Sequence, residues 1–153
     1  MTDHLSCVVD ASVGIKKFII DPLTPKVDEL FARFTDPNAY IYIPDLFYIE
    51  CTNIAWKYIR AGFYSVSEAQ TNLTSFRALN FRSISTADLM LDALVISATH
   101  TISAYDACYV ALSQRVNAPL LTQDQKLVNA LSSTAFDVRL FSDFSVPSLP
   151  SSE

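Results

Sequence analysis

Glycine is nearly absent: Gly14 and Gly62 are the only two in 153 residues. A phosphate-cradling Walker loop and the G-x-G-x-x-G dinucleotide fingerprint both need closely spaced glycines, so two large nucleotide-binding classes drop out. Cysteine is scarce and scattered. Cys7, Cys51 and Cys108 form no C-x-x-C pair, and the two histidines, His4 and His100, do not stand near them. Zinc ligation and a disulfide framework are therefore not expected. The thiols read as small buried hydrophobes in a reducing compartment, with the cytoplasm as the address. Positive charge is also short, since 11 Lys and Arg against 16 Asp and Glu leave a net charge of -5. Without a basic field to draw in a polyanion, any nucleic-acid contact has to be local. No uninterrupted apolar run is long enough for a membrane: Leu89 to Leu112 is cut by Asp92, His100 and Asp106, and the N-terminal stretch by Asp10, Lys16 and Lys17.

What remains is half hydrophobic and 18% charged, a composition for one compact domain rather than a coiled coil or a disordered chain. The central stretch is Ser103 to Leu127. Ser103 with Asp106 three residues later is a capping signature, and Ala107, Val110, Ala111 and Leu112 follow at helical spacing. That helix is expected to stop near Asn117. Pro119, Leu120 and Leu121 then read as a buried strand ending in Thr122, Gln123 and Asp124. Earlier in the chain, Ser6 to Val9 is a β-prone run that delivers Asp10 to its end, followed by a helix over Ala11 to Ile20. Thr24 is expected to cap a helix carrying Val27, Leu30 and Phe31, and Tyr40 to Ile43 to form a second strand.

Asp45 is expected to cap the next helix, in which Leu46, Ile49, Asn53 and Trp56 fall on one side and Glu50 shares a face with Asn53. Ser65 and Glu68 form a further capping box, Phe81 to Ser85 a third strand, Thr86 onward an apolar helix, and Val138 to Phe141 an edge strand. Trp56, Tyr105 and Tyr109 read as core. Alternating strands and helices of this length imply a three-layer α/β/α sandwich around a central parallel sheet, one domain over 1–144 with a flexible tail at 145–153.

Four acids share one description in that fold. Asp10 and Asp124 follow strands, Asp106 begins a helix, and Glu50 lies in the first turns of another. Ligands of open parallel sheets sit just beyond the carboxyl ends of the strands, and right-handed crossovers bring Asp10 and Asp124 to the same edge. Two carboxylates about 5 Å apart at an effective dielectric near 20 repel by roughly 3 kcal/mol. Hard divalent ions such as Mg2+ or Mn2+ relieve that repulsion, prefer oxygen ligands, and keep waters that can be activated as nucleophiles. An all-acid site without histidine suits metal-assisted attack of water on a phosphodiester.

The segments V-V-D-A-S, I-E-C-T-N, S-A-Y-D-A-C-Y-V-A-L and L-L-T-Q-D-Q-K-L occur in this order and span most of the chain. Together they resemble the signature blocks of PIN-domain proteins, particularly VapC-type ribonuclease toxins. The resemblance implies a PIN-like fold and a metal-dependent endoribonuclease in which Asp10, Glu50, Asp106 and Asp124 hold Mg2+ or Mn2+. It also implies that Ser12 and Thr122 place hydroxyls beside the carboxylates and that Asn53 helps orient Glu50. RNA is the implied substrate, and the implied partners are a second copy of the chain and a cognate antitoxin.

Plainer readings stand beside this one. Asp10, Asp106 and Asp124 can serve as turn or cap acids, and Ser12, Asn53 and Thr122 as local hydrogen-bonders. On that basis the alternative is a PIN-like binding module, catalytically weak or inactive, acting through dimer or partner contacts. A phosphoacceptor or small phosphoesterase is a third reading, since those also place aspartates at strand ends. The D-A-S segment lacks the second Asp that a haloacid-dehalogenase-like phosphatase needs.

Overall fold

A computed structural model describes residues 4–148. Five strands, β1 (Ser6–Val9), β2 (Tyr40–Pro44), β3 (Arg82–Ile84), β4 (Leu120–Thr122) and β5 (Val138–Leu140), form one sheet in the order β3-β2-β1-β4-β5. Every pairing is parallel. Seven α-helices connect and flank them among the described residues: α1 (Ala11–Gly14), α2 (Thr24–Phe31), α3 (Leu46–Arg60), α4 (Val66–Ala78), α5 (Thr86–His100), α6 (Ala104–Val116) and α7 (Gln125–Leu131). The expected α/β/α arrangement with a central parallel sheet is therefore present. No helix among the described residues is long and apolar enough to cross a membrane.

The order of strands decides where a site can form. From β1 the chain moves outward to β2 and β3, then returns to the other side of β1 with β4 and β5. The reversal lies between β1 and β4, so the connections leaving these two strands diverge and open a crevice at their carboxyl ends. Both strands are nearly continuous buried apolar runs, as strands covered on both faces must be. Helix α6 packs against β1, β2 and β4, and its own buried residues, Ala107 to Ser113, are the centre of the core.

Local chemistry explains most element ends. Ser103 accepts from the Asp106 N–H at 3.1 Å, and Asn117 closes α6 in a left-handed conformation, φ 52°. Ser65 caps α4, its hydroxyl accepting from the Glu68 N–H at 3.1 Å and donating to the Glu68 carboxylate at 2.9 Å. The helix expected over Ala11 to Ile20 is instead a single α turn continued as a 3-10 segment over Ile15–Lys17. Gly14 marks that position because a Cβ there would come within 2.6 Å of the Phe47 ring, so α1 can lie against α3 only if this residue has no side chain. Thr24 does not cap α2. It is the helix's first residue, and its hydroxyl donates to the Lys16 carbonyl at 2.8 Å while accepting from the Asp21 N–H.

Asp45 occupies the N-cap position of α3, but its side chain makes no cap bond there. Its carboxylate accepts from the Thr86 N–H at 3.0 Å and so tethers the start of α5 to the end of β2. Of the expected tail, Val146 packs on the core and Arg33 donates to the Pro147 carbonyl. Residues 149–153, the rest of that tail, lie outside the described residues, as do residues 1–3.

Candidate active site

A cleft of about 790 Å³ opens at the carboxyl edge of the sheet, and Asp10, Glu50, Asp106 and Asp124 all line it. Each arrives from a different element. Asp10 ends β1 and is the N-cap of α1, accepting from the Val13 N–H at 3.2 Å. Asp124 follows β4 and is the N-cap of α7, accepting from the Lys126 and Leu127 N–H groups at 3.0 and 3.2 Å. Asp106 stands in the first turn of α6 and Glu50 in the second turn of α3. For Asp10 and Asp124 the capping role and the cleft position are both real. In each residue these backbone bonds go to Oδ1.

The two strand ends are clipped together by small polar groups. The Ser12 hydroxyl donates to Asp10 Oδ1 at 2.5 Å and accepts from the Gln123 N–H at 3.0 Å, bridging the turn after β1 to the turn after β4. The Asp10 N–H reaches the Leu121 carbonyl at 3.3 Å. Thr122 is fully buried, and its hydroxyl accepts from the Asp124 N–H at 3.1 Å. Ser12 and Thr122 therefore sit beside the carboxylates. Asn53 lines the cleft one helical turn beyond Glu50, but among the described residues no hydrogen bond joins the two.

The electrostatics are those of crowded acids with little to neutralise them. Burial pushes the Asp10 carboxyl up to about 6 from an ordinary 3.8; the Ser12 and Thr122 hydroxyls and the Val13 N–H oppose the rise, and the Glu50 charge adds to it. Glu50 is raised by burial, held back by the nearby Tyr109 hydroxyl, and raised further by Asp106. Asp106 is raised by burial and then by Asp124. Mutual influence thus runs around the cleft, Asp10 to Glu50 to Asp106 to Asp124.

Two buried oxygens face this region without a hydrogen bond of ordinary geometry, Glu50 Oε1 and the Tyr109 hydroxyl. The two lie beside each other, the Tyr109 hydroxyl steadying the Glu50 charge, and the all-oxygen donor set of the cleft is of the kind a hard cation prefers. The acids ring the cleft as successive neighbours, and among the described residues no three close into a ready ligand cluster.

Several groups outside the acid motifs line the same cleft. Tyr109 was assigned to the core and is indeed buried there, yet it stands three residues after Asp106, on the same helical face, and lies beside Glu50. Trp56 and Tyr105, also expected in the core, are 52% and 63% exposed and line the cleft with Ile49 and Lys57. Position relative to the acids was the available signal, since Tyr105 precedes Asp106 and Trp56 is one turn beyond Asn53.

Comparison with known proteins points the same way. The sequence model of the PIN domain matches residues 7–130. Ribonuclease VapC3 of Pyrobaculum aerophilum is 28% identical over 127 residues, covering 80% of this chain and 92% of that protein. A chain of a toxin-antitoxin complex from Klebsiella pneumoniae superposes with a TM-score of 0.63 at 15% identity, over 89% of this chain and 98% of its own. Mycobacterium tuberculosis VapC20, described as a Sarcin-Ricin loop cleaving toxin, superposes with a TM-score of 0.62 at 18% identity, over 86% and 96%. At such identities the two superpositions carry the fold.

Proposed function

This chain belongs to the PIN domain family, and from that premise we propose that it is a VapC-type toxin endoribonuclease that hydrolyses RNA phosphodiesters with the help of Mg2+ or Mn2+. The observation that carries the reading is the convergence of four carboxylates from four elements on one cleft at the strand-order reversal. A related protein is named a ribonuclease and a fold neighbour belongs to a toxin-antitoxin complex, which supports both the chemistry and an antitoxin partner.

Asp10, Glu50, Asp106 and Asp124 are the residues that would hold the cation. When bound, it supplies positive charge to the developing phosphorane and lowers the pKa of its coordinated water. The chain's own contribution is placement. Ser12 fixes Asp10 against the β4 turn, and backbone N–H groups hold Asp124. Burial of Asp10 keeps bulk water from screening its charge.

The family also implies a second copy of the chain. The apolar strip Met90, Leu91, Leu94 and Val95 along α5 is exposed and stands as the surface for it, while the cleft wall is the surface for an antitoxin segment. Three free, buried cysteines agree with the cytoplasm as the compartment.

The competing reading, a binding module without turnover, has one observation in its favour: the acids stand as neighbours around the cleft rather than closing on a point. Purified protein incubated with labelled RNA decides between them. Cleavage that requires Mg2+ or Mn2+, stops in EDTA, and disappears in Asp10→Asn and Asp106→Asn is the expected result. Equal cleavage by wild type and both variants would reject the site, and no cleavage by antitoxin-free protein would favour the module.

A further inference from the structure

Resting on the proposed nuclease reading but addressed by its own test, the geometry points to Trp56 and Tyr105 as a stacking platform for unpaired RNA bases beside the carboxylates, one that restricts the substrate to single-stranded segments. Polyanion binding normally draws most of its affinity from cations that displace condensed counterions. Here the net charge is -5, and Lys16, Lys17, Arg33 and Arg139 are already committed to Asp21, Asp28, Asp36 and Asp137. Among the described residues Lys57 is the one cation lining the cleft, against four carboxylates. An RNA strand entering this site needs contacts that do not depend on charge.

The cleft offers two such contacts. Trp56 and Tyr105 come from different helices, and both residues are more than half exposed although they lie within an otherwise packed α/β domain. Tyr105 is the neighbour of Asp106, and Trp56 is on the helix of Glu50, about 9 Å of rise farther along. These separations are on the scale of one to two nucleotides from the acids. Every base has a π-face, so stacking on such rings is strong and tolerant of sequence, but it requires bases free of a duplex. Ile49, exposed on the same wall, widens the apolar platform. A protein segment could also cover these rings, but the reacting strand has to pass through this cleft, and the carboxylates inside it leave stacking as its principal anchor.

Trp56 is the single tryptophan of the chain, so its fluorescence reports on the platform alone. The experiment uses the full chain carrying Asp10→Asn in Mg2+, which leaves RNA uncut, titrated with a short unstructured oligoribonucleotide and with the same strand in a blunt duplex. Expected are saturable quenching by the single strand and at least tenfold weaker binding of the duplex. Tyr105→Ala should weaken single-strand binding about tenfold and Tyr105→Phe hardly at all. In the cleavage-competent chain, Trp56→Ala should raise KM about tenfold with kcat little changed, and Trp56→Phe should restore it.

Quenching in a protein that cleaves nothing would uphold the platform while the nuclease reading falls. Cleavage without any Trp56 response, equal affinity for duplex and single strand, or a response to a protein partner but not to RNA would overturn the platform. Melting curves of the alanine variants exclude misfolding as a cause, since both side chains are exposed.

Discussion

Asp10 and Asp36 are equally hidden from solvent, 8% exposed each, and they sit in opposite electrostatic worlds. Asp36, before the amino end of β2, is paired with buried Arg33 at 2.9 Å and accepts from the Asn38 N–H at 2.9 Å. The Arg33 guanidinium and that N–H hold its carboxyl below the ordinary range. Asp10, at the carboxyl end of β1, has hydroxyls and one N–H for partners but no cation, and burial drives its carboxyl up to about 6. Exposure is the same in both cases, but their surroundings are not: desolvation dominates at Asp10, whereas at Asp36 the Arg33 guanidinium outweighs it, so depth of burial and counterion together separate the two. Asp36 is thus satisfied by an arginine, whereas Asp10 lies beside Glu50, a second acid, which is the arrangement the proposed cation would relieve.

The largest effect that sharpens this contrast is on turnover. Asp10→Asn should lower RNA cleavage by on the order of 10³-fold or more, read in a gel assay with Mg2+ or Mn2+. The same change should stabilise the metal-free protein at pH 7, because it removes a charge that folding forces out of water. Asp36→Ala should do the reverse, lowering the melting temperature more than any cleft substitution, because Arg33 is left buried without its partner. Cleavage per folded molecule should be unchanged. A loss of stability in Asp10→Asn comparable to that in Asp36→Ala would break the comparison.

Next in size is a pH dependence with a definite sign. The folded-state value of Asp10, about 6, lies above its ordinary 3.8, so folding favours the protonated acid. Its contribution is fully present below about pH 4 and is lost as pH rises through 6, a change of about 3 kcal/mol at most. Denaturant melts of metal-free wild type should show this decline, and Asp10→Asn should show a smaller one, since Glu50 and Asp106 are also raised and keep their share. The smallest effect belongs to the clip between the strand ends. Ser12→Ala removes the bridge from Asp10 to the Gln123 N–H and should cost about 1 kcal/mol of stability and about tenfold in kcat/KM. A drop in stability without a drop in turnover would make Ser12 purely structural.

Which of these features could be read from residues alone follows from how local their causes are. Strands β1 and β4, the caps at Ser65 and Ser103, and the acids after both strands depend on neighbours a few positions away, and all were legible. Asp45 was not, because the N–H it accepts from belongs to Thr86, 41 residues on. Helix α3 misled for a different reason. It has two apolar stripes one residue apart, and the one buried in the core is Phe47, Cys51 and Ala55. The other, with Ile49 and Trp56, faces the cleft. Periodicity detects both stripes and cannot say which one the sheet covers. The grouping of Glu50, Asp106, Asp10 and Asp124 required the crossover topology as well as the motifs, since nothing local joins them.

If the four carboxylates act as one site for a divalent cation, as proposed, titration of the metal-free protein with Mn2+ by calorimetry at pH 7 shows it most directly. Saturable binding, weakened at least about tenfold by each of Asp10→Asn, Glu50→Gln, Asp106→Asn and Asp124→Asn and unaffected by Asp36→Ala, is the predicted result. Absence of binding, or binding indifferent to all four substitutions, would contradict it.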